Sequence, residues 1–279
     1  MSATAGASER TTSHQRWLVR VAAKSAGAAA SLGAIMWLGF AGLYDSNFAL
    51  SLLHDLLKGL AVTVQAVGVV IPVGFTVGFF VGWARTSRSR VLRGTGSLYV
   101  EFFRSMPPIT LIVFSSLIVT LLIRAYFFVE DPHLFALAVG MLALALHSGS
   151  YQAEIIRAGI LSVPAGQVEA AEALGLTKLQ TMFRVTLPQA FRVSLPALGN
   201  EFASVIKDTS LISAIGALEL SFYGLVLVRD ALLPLRLDHV FIIWLEIALL
   251  YFLMTTLVTF TVRQIENRYK VPGLEAASL

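Results

Sequence analysis

The chain has no cysteine, which excludes a disulfide framework, a thiolate metal site and a cysteine nucleophile and says nothing of redox compartment. It has no GxxxxGK[ST] phosphate loop, so it does not hydrolyse ATP by that chemistry, and no HExxH or similar spacing that would hold a metal. Its Gly-Ser pairs lie in apolar runs and lack the Gly-x-Ser-x-Gly arrangement of a hydrolase elbow. Charge is scarce too: 14% of 279 residues, against 56% hydrophobic and a mean hydropathy of +0.75. A chain of that composition belongs in lipid.

Charge-free runs of the length that crosses a ~30 Å hydrocarbon core occur at Ala26 to Tyr44, Gly59 to Ala84, Met106 to Ile123 and Leu134 to Ala153. Leu195 to Val228 and Val240 to Val262 are apolar with a few ionisable residues. The expectation is an all-α integral membrane protein with six transmembrane helices. These spans and their connections use up the chain, so one membrane domain is the working count. The first run, preceded by Arg10, Arg16, Arg20 and Lys24, reads as a retained anchor, because 19 residues is long for a signal-peptide core; a cleaved signal is the alternative.

Basic residues collect on the cytoplasmic side of membrane segments. With the N-terminus inside, the cytoplasmic flanks hold Arg10, Arg16, Arg20, Lys24, Arg85, Arg88, Arg90, Arg93, Lys178, Arg184, Arg192, Arg263, Arg268 and Lys270, fourteen in all, against Lys58, Arg124, Arg229 and Arg236 outside. Both termini and the 160–195 region are therefore expected in the cytoplasm. The basic loop RTSRSRVLR at 85–93 reads as an orientation signal that meets lipid phosphate, not as a nucleic-acid site.

The stretch EAAEALGLTKLQTMFRVTLPQAF, residues 169–191, interrupts this pattern. Gln167 to Leu174 are good helix formers, and Gly175 can take the left-handed conformation that closes a helix. Thr177 stands three residues before Gln180, the spacing of a capping box. Leu176, Leu179, Phe183 and Leu187 then recur at three- and four-residue steps, and Pro188 is expected to end the second helix. An amphipathic hairpin lying on the lipid is one reading. A docking element for a cytoplasmic partner is the other.

Glu169, Ala170, Ala171, Gly175, Val185 and Leu187-Pro188 resemble the EAA signature of permease subunits of ATP-binding cassette importers, with valine where isoleucine is usual. EFFRSMPPI (101–109), AEIIRAGILSVPAGQ (153–167), LPQAFRVSLPALGNEF (187–202) and KDTSLISAIGALEL (207–220) are similar, in the same order, to the polar amino acid permeases of that class. The resemblance implies a five-helix permease core over 59–268, preceded by a cytoplasmic tail at 1–25 and an extra helix with an external loop at 26–58, and followed by a tail at 269–279. It also implies a short cytoplasmic coupling helix in which Glu169, Ala170, Ala171, Gly175, Leu187 and Pro188 meet an ATPase dimer. The other partners implied are a second permease subunit, the same or similar, and an extracytoplasmic binding protein, in a bacterial cytoplasmic (inner) membrane. No cofactor is expected on this chain; ATP and magnesium would sit on the ATPase.

Ionisable groups in a bilayer are functional candidates by default. Glu101 with Arg104, and Glu154 with Arg157, are spaced to neutralise each other on one helix face. Leu195 to Val228 is 34 residues, roughly 50 Å as a straight helix, so it must bend, with Gly216 a candidate, or begin outside the core. Glu201, Lys207 and Asp208 on it are candidates for a substrate path or gate, as are Glu219 and Glu246; a structural network, or hydrogen-bonded packing for the last two, stands beside that reading. His147 reads as a helix–helix hydrogen bond, and Gly68, Pro72, Gly74, Gly78 and Gly82 as either a bent gate helix or tight packing.

The function expected is the permease subunit of an ATP-driven importer for a polar amino acid or related small zwitterion, not an enzyme. The alternative is a secondary transporter driven by an ion gradient, which leaves 164–188 without a purpose and finds no visible inverted repeat.

Overall fold

The computed structural model describes residues 46–126 and 131–269, with Gly33 alone ahead of them. Helices α1 (Ser46–Ala84), α2 (Arg90–Ser105), α3 (Pro108–Tyr126) and α4 (Pro132–Leu161) are followed by two short helices, α5 (Ala165–Ala173) and α6 (Lys178–Thr181). A π-helical turn, Met182–Thr186, leads into α7 (Leu187–Asp208) and a 3₁₀ segment, Thr209–Ile215; α8 (Leu220–Leu232) and α9 (Leu237–Tyr269) complete the described chain. No strand occurs among the described residues.

Four of these helices, α1, α3, α4 and α9, are long and apolar enough to cross a membrane, and the continuous helical stretch Lys178–Ile215, which contains α7, makes with α8 a fifth candidate bent by 55°. The first apolar run, Ala26 to Tyr44, lies outside the described residues. Among the spanning helices, α1, α3, α4 and α7 alternate in direction. α1 and α4 run the same way, with Gly74 beside Ala145 and Gly82 beside Ala153. α3 runs against α4, since Ser116 donates to the Ala136 carbonyl while Ile112, one turn earlier, lies beside Gly140; α2 meets α4 through the hydrogen bond from Tyr99 to the Leu146 carbonyl. α7 also opposes α4, with Ser194 bonded to Ile155 and Ser148 to Glu201.

Three expectations change. Ser46–Lys58, read as part of an external loop, is helical and continuous with the span that follows, so α1 has 39 residues; Leu52 and Leu56 bury against Leu220, Ile242 and Ile243, and that packing carries the helix past its charged residues. The basic run at 85–93 is a loop only to Ser89, whose hydroxyl caps α2 at the Leu92 amide. Pro188 does not end a helix. The π turn widens the ladder so that the Leu187 N–H reaches the Met182 carbonyl, and the Gln189 side-chain amide donates to the Val185 carbonyl at 3.1 Å; the amide hydrogen that proline lacks is thereby bypassed.

The long apolar stretch does break at Gly216, whose φ is +84°. Asp131 caps α4 through its contacts with the His133 and Leu134 amides, both 3.0 Å, with Pro132 at the first turn. α1 and α4 approach each other closely for a simple steric reason. A Cβ on Gly74, Gly78 or Gly82 would stand 2.9, 2.8 or 2.6 Å from backbone oxygens of Ala145, Gly149 and Ala153. Gly74, Gly78 and Gly82 therefore form a packing seam against α4.

Candidate functional site

Two places gather the predicted residues. The first is the α5–α6 element at the end of the bundle that carries Arg85. The Gly175 N–H donates to the Glu172 carbonyl and the Leu176 N–H to the Ala171 carbonyl, at 3.0 and 3.2 Å, with Gly175 at φ +87°. This is a Schellman closure, and it needs the left-handed residue that glycine supplies. Thr177 and Gln180 then cap each other reciprocally, at 2.9 and 3.3 Å, and start α6.

Local hydrogen bonds thus shape this element without using its apolar side chains. Leu174 is 82% exposed, Leu179 60% and Phe183 52%. The regular spacing of Leu176, Leu179 and Phe183 does not mark a face buried within the chain. Glu169 and Ala170 are exposed, Ala171 is buried, Leu187 is half-buried and Pro188 exposed. The element is anchored from below: Met182 and Leu187 pack with Ile156, Ile160 and Trp83. Aromatic contacts Phe202–Phe75, Phe75–Phe79, Phe79–Trp83 and Trp83–Phe183, 5.8–6.5 Å between centroids, run along α1 and join α7 to the π turn. An apolar crevice of about 200 Å³ opens between Phe75, Phe79, Leu187 and Phe191.

The second place is a polar cluster where α2, α4 and α7 meet. Gln152, fully buried, donates from Nε2 to Ser148 Oγ at 2.8 Å, and the Ser148 hydroxyl donates to Glu201 Oε1 at 2.7 Å. His147 Nδ1 contacts the Phe103 carbonyl at 2.9 Å, so the ring is held by a helix–helix hydrogen bond. Arg104 lies over the Tyr151 ring, 4.9 Å from its centroid. Asp208 lies within electrostatic reach of Glu201 and His147, and Lys207 beside it is exposed. Of the predicted path residues, Glu201, Lys207 and Asp208 therefore come together, with groups of both signs around them.

Glu219 and Glu246 stand apart. Glu219 is wholly buried and caps α8: its carboxylate accepts from the Ser221 and Phe222 amides at 2.9 and 2.8 Å and from the Tyr251 hydroxyl at 2.8 Å. Thr63 Oγ1 accepts from the adjoining Leu220 N–H at 3.1 Å. Glu246, on α9, is half-buried, and its Oε2 has no hydrogen-bond partner among the described residues.

Glu154 pairs with Arg157 at 2.5 Å as its spacing suggests, and also with Arg85 just past the end of α1, whose Nε donates to Ser97 of α2. No ion pair joins Glu101 to Arg104 among the described residues; the guanidinium has turned to Tyr151 instead. Gln152 and Arg104 were not singled out as site residues from sequence. The signal for Gln152 was present, since it lies one helical turn from Ser148 in an otherwise apolar run. Arg104 had none, because Tyr151 is distant in sequence.

Residues 74–271 match the family model described as "Binding-protein-dependent transport system inner membrane component". The chain is 40% identical over 195 residues to the L-cystine transport system permease protein TcyB of Bacillus subtilis (strain 168), covering 70% of this chain and 78% of that one. It is 31% identical over 216 residues to the glutamine transport system permease protein GlnP of Escherichia coli (strain K12), covering 77% and 93%. A crystal structure of an amino acid ABC transporter with histidines superposes with a TM-score of 0.67 at 28% identity, over 81% of this chain and 99% of that chain. With its apolar helices, its alternating directions and the motifs at 153–220 in place, the chain belongs to the family of inner-membrane permease components of binding-protein-dependent transport systems.

Proposed function

We propose that the chain is the permease subunit of an ATP-driven importer that carries a polar amino acid or a related small zwitterion across the cytoplasmic membrane, with both termini in the cytoplasm. The observation that carries this reading is the α5–α6 element, where a locally capped hairpin holds Leu174 and Leu179 in the open on an anchored base. Such a surface suits a protein partner better than it suits the chain itself. The partner is a separate ATPase, two copies of which serve a pair of permease subunits, this chain twice or with a similar one. Glu169, Ala170, Ala171, Gly175, Leu187 and Pro188 form or support the contact, and the aromatic row from Phe183 to Phe202 carries its movement into α7. ATP and magnesium are held by the ATPase, and an extracytoplasmic binding protein delivers the substrate.

Glu201, Asp208, Lys207 and Arg104 suit a molecule with an ammonium and a carboxylate, because they offer both signs of charge within one cluster. Glu219 and Glu246 are further candidates along the path. The test is purification of the tagged chain from its native membrane in mild detergent, beside a Gly175→Pro, Glu169→Arg double variant. Wild type should bring down a phosphate-loop ATPase, and the folded variant should lose it. If wild type brings down none under conditions that preserve other membrane complexes, an ion-driven transporter becomes the better reading.

A further inference from the structure

The polar cluster contains one feature that pairing of charges does not account for. Gln152 is a fully buried amide between two helices, and its Nε2 donates to Ser148 Oγ while its Oε1 has no partner. The amide had an alternative. Turned about its last bond, it would place Oε1 at Ser148 and satisfy that oxygen with the serine proton. Glu201 would then lose its donor. In the structure the Ser148 proton goes to Glu201 Oε1 instead.

The three side chains therefore form a relay of fixed direction, Gln152 N–H to Ser148 O–H to Glu201 Oε1. A serine within a helix ordinarily has a second outlet for its proton, the carbonyl one turn back. With Gln152 Nε2 directed at Oγ and Glu201 Oε1 2.7 Å from it, the proton is committed to Glu201. The seam fixes the amide in turn. A Cβ on Gly74 would come within 3.1 Å of Gln152 Nε2, and one on Gly78 within 2.8 Å of Gln152 Cβ. Only glycines on α1 leave room for this side chain.

We propose that Gln152 is a positioning residue for the substrate path: by directing the Ser148 proton it holds Glu201 with Oε1 occupied and Oε2 presented to the ammonium group of the translocated zwitterion. The proposal rests on the reading above that Glu201 lines that path. It assigns Gln152 no contact with the substrate. Its effect passes through Ser148, so removing either member of the relay should remove the same thing.

The test uses the permease–ATPase complex in lipid nanodiscs, dialysed to equilibrium against a mixture of the twenty uniformly ¹³C-labelled L-amino acids, with bound amino acid read by mass spectrometry. N-acetylated forms of those retained serve as the control without an ammonium group. Gln152→Leu and Ser148→Ala should each weaken binding about tenfold, the worth of one hydrogen bond to a charged group. The double variant should be no weaker than either single one, Ser148→Thr should stay within about twofold of wild type, and weak binding of the N-acetyl forms should not change. Effects of the two substitutions that multiply to about a hundredfold, or equal losses for the N-acetyl forms, overturn the relay. If the intact wild-type complex retains no amino acid, the reading of the path fails. The melting temperatures of the same variants then decide the relay alone: non-additive shifts support it and additive shifts overturn it.

Discussion

Along the seam between α1 and α4, glycine meets backbone, so that a single added methyl group at Gly74, Gly78 or Gly82 would overlap a carbonyl of the facing helix. In the α5–α6 element the large apolar side chains of Leu174 and Leu179 stand in the open, and the shape comes from a Schellman closure and a capping box. The seam is held by close fit over its length and tolerates no growth. The hairpin is held by a few local hydrogen bonds that leave its outer side chains free. A transport subunit needs both kinds of construction: a pair of helices that move as one, and a surface whose residues answer to a partner.

The comparison breaks most sharply at the seam. Gly78→Leu would drive its side chain into Gln152 and the Gly149 carbonyl, each 2.8 Å from the first added carbon, and should destabilise the folded chain by about 3 kcal/mol or more. Gly68, on the same helix, has nothing within 4 Å of the Cβ position; Gly68→Ala should be neutral or stabilising by about 0.5 kcal/mol. Thermal melting of the two variants in detergent checks the pair. Equal melting points would show that α1 and α4 are not locked together.

A smaller effect is expected where α1 meets α8. A Cβ on Gly59 would come within 2.9 Å of Leu220 Cα, and Glu219 there holds two amides and the Tyr251 hydroxyl. Glu219→Ala leaves those donors without their acceptor and should lower stability by about 2 kcal/mol. Glu219→Gln keeps a side-chain acceptor and should lose less. Denaturant unfolding separates the two, and identical losses would mean that capping is not what Glu219 contributes.

The hairpin was legible because its information is local. Gly175, Thr177 and Gln180 lie within six residues of one another and act through backbone groups beside them, so spacing alone announces the turn and the cap. The break at Gly216 was legible for a similar reason, since an uninterrupted helix would overrun the bilayer. Pro188 misled, because the π turn that accommodates it depends on Gln189 and on packing against α1 and α4. The early start of α1 was hidden, because Leu52 and Leu56 find their partners on α8 and α9. Glu201, Lys207 and Asp208 stand out in the sequence as charges in an apolar run, while the turn of Arg104 to Tyr151 follows from a contact that spacing does not announce.

The smallest structural effect, and the sharpest functional one, belongs to Leu174. It follows the end of α5, 82% exposed, beside a closure made by backbone groups alone. Leu174→Ser removes apolar surface that the chain itself hardly uses, so its melting point should match wild type, within about 0.5 kcal/mol. The same substitution takes an anchor away from the proposed ATPase contact, and exposed apolar anchors of this kind contribute about 1–3 kcal/mol when a partner buries them. Co-purified ATPase should therefore fall about tenfold or more while the fold is untouched. A variant that melts early and binds normally would reverse the assignment, making Leu174 part of the hairpin's own support and leaving the docking surface to be sought around Glu169 and Ala170.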